Sequence, residues 1–423
     1  MQQTKTLPFT TSSQSLIASV LLMMTPACTV ENPQQGQASE ELATPSTFRT
    51  TTTNYTSYQS GDVPILISVP HGGSDEPASL TERTTSYSGL VTNRELYLQD
   101  IAIGVADRLE NTHGITPYLV LGDVHRKYID YNRDETAAIG GSANEAYETS
   151  AANTYYDEYH SRLDSYISTI QSSYTNGLLI DMHGTGSVPN KIVRGTRNGD
   201  AIWDLLRGHN VTSITASEEK AGHTAAMAQD DDLGTYWSSA GDESIEFDLG
   251  STKTIGSVEL AMTNGSSRTY DFEIEVWTGS SWTVAFDGNN TGGTSDFEIY
   301  EFSTPISGSK VRISCHGSDY SSSNYIKEIR IQEHGWDPIL GPNSIFDELD
   351  DAGYTLEPGN TEYGVGVETT FIGGFTVEHH GSENGGLDAV QIEIGSNYRD
   401  TQSERDQLII DIADAIDSYY DNY

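Results

Sequence analysis

The chain has 423 residues, 35% of them hydrophobic, which is more than one core's worth because single cores stop growing at roughly 250 to 300 residues. Its 62 acidic against 22 basic residues give a formal net charge of −40 and a pI near 4.3. Long-range repulsion therefore excludes nucleic acid and anionic membrane surfaces as partners.

In chain order, Lys5 precedes the apolar stretch Leu16 to Met24, which is too short to span a bilayer but right for a signal h-region. Residues 1–27 read as an export signal. Thr25-Pro-Ala-Cys28 resembles a bacterial lipoprotein cleavage site, so the expectation is export, to the periplasm, the cell surface as a lipoprotein, or the medium. A lipid at Cys28 would be the sole membrane attachment, and would leave Cys315 without a disulfide partner. Residues 28–54 are rich in Gln, Ser, Thr, Glu and Pro, as in an unfolded tether.

From residue 55 the texture is α/β. Val63 to Val69 reads as a buried strand, and Asn93 to Leu109 as a helix with apolar residues at Leu96, Ile101, Val105 and Leu109. Ile115 to Leu121 reads as a second strand, Ala143 to Tyr174 as a long helical stretch and Leu178 to Met182 as a third strand. Alternation of this kind implies a largely parallel sheet with its site at the carboxyl ends of the strands. His71, Asp123 and His183 fall there.

Between about 210 and 334 the sequence changes to short β-type runs, among them Ser244 to Leu249, Ser257 to Met262, Phe272 to Trp277, Lys310 to Ser314 and Glu328 to Gln332, separated by Gly, Ser, Asn and Thr. This pattern indicates a β-sandwich. From 335 to 423 the α/β texture returns, with a helix near Asn343 to Asp351, strands near Gly373 to Val377 and Asp388 to Ile394, and a closing helix from Gln402 to Tyr419. The sandwich is thus an insertion between residues 55–209 and 335–423 of one α/β domain.

Chemistry concentrates at the strand ends. His71 in Val-Pro-His-Gly-Gly and His183 in Ile-Asp-Met-His-Gly-Thr-Gly can converge from neighbouring strands, with glycine allowing close backbone approach. Two imidazoles and a carboxylate suit Zn²⁺ with one open position for water. The carboxylate expected is Glu76, with Asp75 beside it as the alternative. Asp181, two residues before His183, shares its face and would orient a ligand histidine. Glu393, inside the apolar run Val390 to Ile394, is either a buried general base or a residue on the solvent side of its strand.

The pieces Val69 to Gly73, Tyr128 to Arg133, Asp181 to His183, Phe371 to Phe375 and Val390 to Ile394 resemble, in order, the N-formylglutamate amidohydrolase family and more distantly zinc carboxypeptidases and deacylases. The resemblance covers about Val63 to Arg197 and Trp336 onward. It implies a three-layer α/β/α catalytic domain, zinc on His71, Glu76 and His183, and Glu393 as the base that takes a proton from metal-activated water and passes it to the departing amine. Asn132 and Arg133 match the pair that fixes a substrate carboxylate or polarises its carbonyl. A surface pairing of Arg133 with Asp130 or Asp134 is the other reading. Arg126, Arg399 and His379, with His380, are further substrate-binding candidates; on a strand only one of the two histidines would face the site.

Within the insert, Ala228 to Trp237, Phe247 to Gly250 and Ile326 to Ile331 resemble the discoidin or coagulation factor 5/8 type C family, many of whose bacterial members bind carbohydrate. The resemblance implies a jelly-roll sandwich and a structural Ca²⁺ held by Asp230, Asp232, Thr235 and Glu328, oxygen donors of the kind a hard cation takes; a plain Asp-rich turn is the alternative. Arg268, Asn324 and Tyr325 are the candidates for sugar contact. Together the two resemblances imply a zinc amidohydrolase removing an acyl group, most simply acetyl, from an N-acylated amino sugar. The alternatives are an N-formyl or N-acyl amino-acid amidohydrolase, a peptidase on acidic peptides, or a noncatalytic adhesin.

Overall fold

The computed structural model describes residues 51–423 apart from 142, 334–336, 361 and 363–365. The export signal, Cys28 and most of the tether lie outside the described residues. No helix among those described is long and apolar enough to cross a membrane.

The first α/β segment contains strands β1 (Thr51–Thr53), β2 (Thr56–Gln59) and β3 (Ile65–Val69), helix α1 (Leu98–Arg108), β4 (Tyr118–Gly122), α2 (Asn153–Ser173), β5 (Leu178–Thr185), β6 (Ile192–Gly195) and the short helix α3 (Trp203–Arg207). The insert contributes β7 (Ser213–Ala216), β8 (Trp237–Ala240), β9 (Glu243–Met262), β10 (Tyr270–Trp277), β11 (Trp282–Asn289), β12 (Phe297–Ser318) and β13 (Ser323–Gln332). The chain then adds α4 (Ile345–Asp351), β14 (Leu356–Glu357), α5 (Phe375–His380), β15 (Asp388–Gly395) and α6 (Gln402–Asn422).

Eight strands form one sheet in the order β1-β2-β4-β3-β5-β15-β6-β14. Its centre is parallel, as the alternation predicts, whereas β2 and β6 run antiparallel to their neighbours β4 and β15. β6 follows β5 after a short turn, too short for the crossover that a parallel partner requires. Alternation along β3 sends Ile65, Ile67 and Val69 into a core shared with α1, α4 and α6, and Leu66 into a second core against α2. α6 begins on a capping box, with Thr401 accepting from the Glu404 amide and Glu404 from the Thr401 amide.

One expected strand is absent. Residues 371–374 form a loop that leads into α5. Gly373 takes φ +112°, and a Cβ on Gly374 would lie 2.1 Å from the Asn132 side-chain nitrogen. Two glycines, one left-handed and one pressed on a side chain, break the strand and let the helix start.

In the insert, the runs expected as separate strands at 244–249 and 257–262 are one long strand, β9, irregular between Asp248 and Lys253 and again between Ile255 and Ser257. Such bulges bend a strand and increase its local twist. β9 pairs with β7, β12 and β13 around a core that includes Trp237, Phe247, Phe272 and Ile313. Cys315 is buried there as a free thiol, pushed up to about 12 by burial.

The insert is packed against its host. The His209 amide donates to the Ile331 carbonyl at 2.7 Å, the Gln332 side chain donates to the Leu206 carbonyl, and the Arg330 guanidinium lies 4.4 Å from the Trp203 ring and 3.8 Å from the Phe297 ring.

Candidate active site

At the carboxyl ends of β3 and β5, the His71 and His183 rings lie 4.9 Å apart. Glu95, in the segment before α1, sits between them: its carboxylate is 3.0 Å from His71 Nδ1 and 3.3 Å from His183 Nδ1. One ligand atom from each of His71, Glu95 and His183 falls within 4.8 Å of the others. The outer ring nitrogens are held as well, His71 Nε2 at 2.6 Å from Asp130 and His183 Nε2 at 2.8 Å from Asp181. A carboxylate behind each imidazole fixes the ring and leaves Nδ1 facing the centre, the arrangement that backs metal-bound histidines.

Glu76, expected as the third donor, is elsewhere. It is half exposed and pairs with Lys127 at 3.0 Å and with the Tyr128 hydroxyl at 3.3 Å. The cause is the backbone: the Asp75 amide donates to the Asp123 carbonyl and the His125 amide to the Asp75 carbonyl, which pins the turn to the end of β4 and directs it outward. Asp75 is exposed there too.

The electrostatics suit a cation. Glu95, Asp130, Asp181 and Glu393 surround the two imidazoles, with Arg126 as the counter-charge, 3.0 Å from both Glu95 and Asp130. Burial would raise the Glu95 carboxyl, but His71 and His183 outweigh it and hold it well below the carboxylate range. Burial would lower His183, but Asp181 and Glu95 hold it well above the histidine range. A dense set of buried carboxylates with two convergent imidazoles fits a divalent cation such as zinc in charge and donor type.

Glu393 lies directly across from His183 in the β5/β15 pairing. It is buried, and its Oε1 accepts a hydrogen bond from the Gln391 side chain at 2.8 Å. Burial lifts its carboxyl to about 7; His183 and Arg126 pull against that, and Glu95 adds to it. The Asn132 amide nitrogen is 3.2 Å from His183 Nε2, while Asn132 Oδ1 accepts from the Thr376 amide at 2.7 Å. A cleft of about 780 Å³ opens over these groups, and Arg94, Arg133, Arg399, Phe371 and Ile372 also line it.

Not every expected contact is present. Arg126 is buried and consumed by Glu95 and Asp130, which makes it a support for the centre more than a free hand for substrate. Arg399 lines the cleft with its guanidinium on the carbonyls of Leu96 and Ile394. His379 is exposed and stacked on Phe375, outside the cleft lining, because residues 375–380 are helical.

In the insert, Asp230, Thr235 and Glu328 come together, whereas the Asp232 side chain is exposed and accepts from the Gly234 amide at 2.8 Å, so only its backbone amide meets Glu328. Glu328 Oε1 accepts from the Asp230 and Asp232 amides at 3.0 and 3.2 Å, and the Thr235 hydroxyl donates to Asp230 at 2.8 Å. Burial, with Asp230 beside it, lifts the Glu328 carboxyl to about 7. Asn324 is no sugar contact: it is buried, holding the Gly317 amide, Ser239 and the Gly241 carbonyl. Tyr325 is half-buried among Tyr236 and Tyr270. Arg268 lies 4.7 Å from the ring of Tyr320, an exposed aromatic that carries no distinguishing motif in the sequence.

Comparison with known proteins follows the same division. Residues 63–213 match the N-formylglutamate amidohydrolase family model, and residues 213–329 match the F5/8 type C domain model. The chain thus carries an amidohydrolase-like region, of a class that hydrolyses amides, joined to an F5/8 type C region. Among solved structures, it is similar to the family 32 carbohydrate-binding module of AlyQ in complex with 4,5-unsaturated mannuronic acid (34% identity, 29% of this chain and 95% of that one, TM-score 0.28). It is also similar to a pectin-binding carbohydrate-binding module (23% identity, 29% and 91%, TM-score 0.28) and to the family 32 module of NanJ from C. perfringens in complex with galactose (17%, 28% and 91%, TM-score 0.26). No curated protein matches the chain.

Proposed function

We propose that the protein is an exported zinc amidohydrolase, built on a three-layer α/β/α domain, that removes an acyl group, most simply acetyl, from an N-acylated amino sugar. The observation that carries this reading is the convergence of His71, Glu95 and His183 with Glu393 across from His183 on the adjacent strand. His71, Glu95 and His183 would hold the zinc, which when bound polarises the scissile carbonyl and acidifies water. Glu393 accepts the proton of the attacking water and returns it to the leaving amine. Arg133 offers its guanidinium to the carbonyl oxygen as negative charge develops there. Asp130 and Asp181 keep the two imidazoles turned inward.

The case for a sugar comes from the insert. Its F5/8 type C match and the likeness to modules that bind mannuronic acid, pectin or galactose support a carbohydrate-binding role, with calcium at Asp230, Asp232, Thr235 and Glu328. An amide-cleaving centre beside a sugar binder points to the N-acyl group of an amino sugar.

A second reading is favoured by the cleft itself. In a chain of net charge −40, Arg94 and Arg133 line it and make no ion pair among the described residues. Arg133 donates from one nitrogen to the Asn132 carbonyl at 2.7 Å; guanidinium groups without a carboxylate partner favour a substrate that brings one, such as an N-formyl or N-acyl amino acid or an acidic amino sugar. The deciding experiment incubates the zinc-loaded protein with N-acetylglucosamine, N-acetylgalactosamine, their oligomers, and N-formyl and N-acetyl glutamate, with and without a chelator. Chelator-sensitive acetate release from the sugars supports the first reading, and release from the amino acids alone supports the second. No release from any of them overturns both.

A further inference from the structure

Outside the centre, two buried titratable side chains meet: His160 on α2 and His380 on α5. Both rings are buried, stacked at 17° and joined by a 2.9 Å contact between His160 Nδ1 and His380 Nε2. His160 Nε2 is 3.0 Å from the Tyr131 carbonyl, and His380 Nδ1 is 3.2 Å from Asp164, an exposed residue one turn along α2 from His160. Tyr131 stands between Asp130, which holds His71, and Asn132, which reaches His183. α5 meets this segment a second time, since the Thr376 amide donates to Asn132 Oδ1.

The protons follow from the partners. A carbonyl can only accept, so His160 Nε2 carries hydrogen and its Nδ1 is the acceptor for His380 Nε2–H. The second nitrogen of His380 faces a carboxylate and so donates as well. Burial, with His380 and His379 adding to it, holds His160 well below the histidine range, in keeping with the neutral ring this count requires. The hydrogen bond from His380 holds Asp164 below its usual range. Two imidazoles in an otherwise apolar and tyrosine-rich core are costly to bury, and an aromatic or aliphatic residue would fill the space.

We propose that His160 and His380 are positioning residues, a hydrogen-bonded pair that clamps the Tyr131 peptide so that Asp130 and Asn132 meet the His71 and His183 rings. The proposal rests on the reading of His71, Glu95 and His183 as the metal centre. The pair touches neither substrate nor metal; it acts through the segment on which the backing groups of both ligand histidines depend. Asp164 anchors the outer end of the chain of hydrogen bonds at the surface.

The test compares His160→Phe, which keeps a ring but loses both polar contacts, with His160→Gln, which keeps a donor for the Tyr131 carbonyl. Zinc affinity is measured by chelator competition, together with melting temperature and with kcat and KM on the best substrate. Loss of an outer-shell partner typically weakens metal affinity or activity by about 10 to 100-fold, so His160→Phe should fall about tenfold in zinc affinity and in kcat with KM little changed. His160→Gln should recover most of both, even if the two variants melt at the same temperature. Wild-type zinc affinity in a folded His160→Phe overturns the proposal, as does equal impairment of the two variants. If His160→Phe does not fold, His380→Gln and His380→Phe make the same comparison from the other ring. A wild type that binds zinc but turns over nothing sinks the hydrolase reading alone, because the affinity comparison still stands; a wild type that binds no zinc sinks both.

Discussion

Glu95 is tied to His71 twice: its backbone amide donates to the His71 carbonyl at 2.9 Å, and its carboxylate lies 3.0 Å from His71 Nδ1. The backbone bond sets the distance at which the side chain can span from one histidine to the other. Its other oxygen accepts from the Gly184 amide at 2.9 Å, beside His183. Glu95→Ala should therefore remove most bound zinc, whereas Glu76→Ala, out on the surface with Lys127, should leave the stoichiometry unchanged. Elemental analysis of the two variants after dialysis distinguishes them, and zinc loss in Glu76→Ala with retention in Glu95→Ala would reverse the assignment.

Replacing Glu393 by Gln keeps the shape and the side-chain contact with Gln391 but removes the proton acceptor. Turnover should fall about 10² to 10⁴-fold while zinc content and melting temperature hold. Steady-state kinetics on the substrate found in the release assay give the answer; near-normal kcat would mean that another group takes the proton.

With calcium held in the insert as proposed, Glu328 would link it to pH. Its carboxyl titrates near 7 in the ion-free protein, and calcium requires the ionised form, so binding displaces a proton at and below neutrality. Calcium should raise the melting temperature of the insert above pH 7, and the increment should shrink as pH falls through 7 and vanish in Glu328→Gln. Calorimetric scans with calcium and with a chelator measure it, and an increment independent of both pH and Glu328 would place the ion elsewhere.

Asp388, at the start of β15, makes the opposite contribution to pH dependence. It is buried, its Oδ1 accepts from Ser382 and the Leu205 amide, and burial lifts it from 3.8 to about 7. A folded-state value above the unfolded one means that its contribution to stability is full below about 3.8 and is lost as pH rises through 7. Asp388→Asn keeps the accepting oxygen and cannot ionise. It should melt higher than the parent above neutrality and close to it in acid, and an Asn variant less stable at both extremes would contradict the assignment.

Deleting the insert should spare small-substrate turnover, because the cleft is lined only by residues up to Ser187 and from Thr370 onward. It should also lower the melting temperature, since Trp203 loses Arg330 and the Leu206 carbonyl loses Gln332. Joining residues 209 and 335 by a short Gly/Ser linker and assaying a monosaccharide substrate tests both. Lost activity in a folded variant would show that the insert shapes the centre.

Much of this was legible in the sequence where patterning and local chemistry agree. The strands carrying His71, His183 and Glu393 announce themselves as apolar runs, and the spacing of Asp181 and His183 places both on one side of a strand. Glu95 gives no such signal: it lies in an irregular segment ahead of α1, and contacts distant in sequence, with His71, Arg126 and Gly184, bring it in. Glu76 is near His71 in sequence, which counts for little when the turn is pinned the other way. Phe371 to Val377 has the composition of a strand, but two adjacent glycines under Asn132 redirect the chain into α5, and with it the two histidines that follow. Asn324, a plausible loop contact by type, is spent on closing its own loop.

The placing of Arg330 between Trp203 and Phe297 bears on how the two halves of the molecule would share a long ligand under the proposed function. A binding module on a slack cord only raises the number of encounters, and any unit within reach is equally open to attack. A module bolted to its neighbour gives a polymer bound to it one path and one span to the cleft, so the unit presented for cleavage is counted from the one that is gripped. With the proposed hydrolysis of a bound polymer, the junction would act as a ruler, and its mark would be read in the product as regular spacing of modified units along the chain.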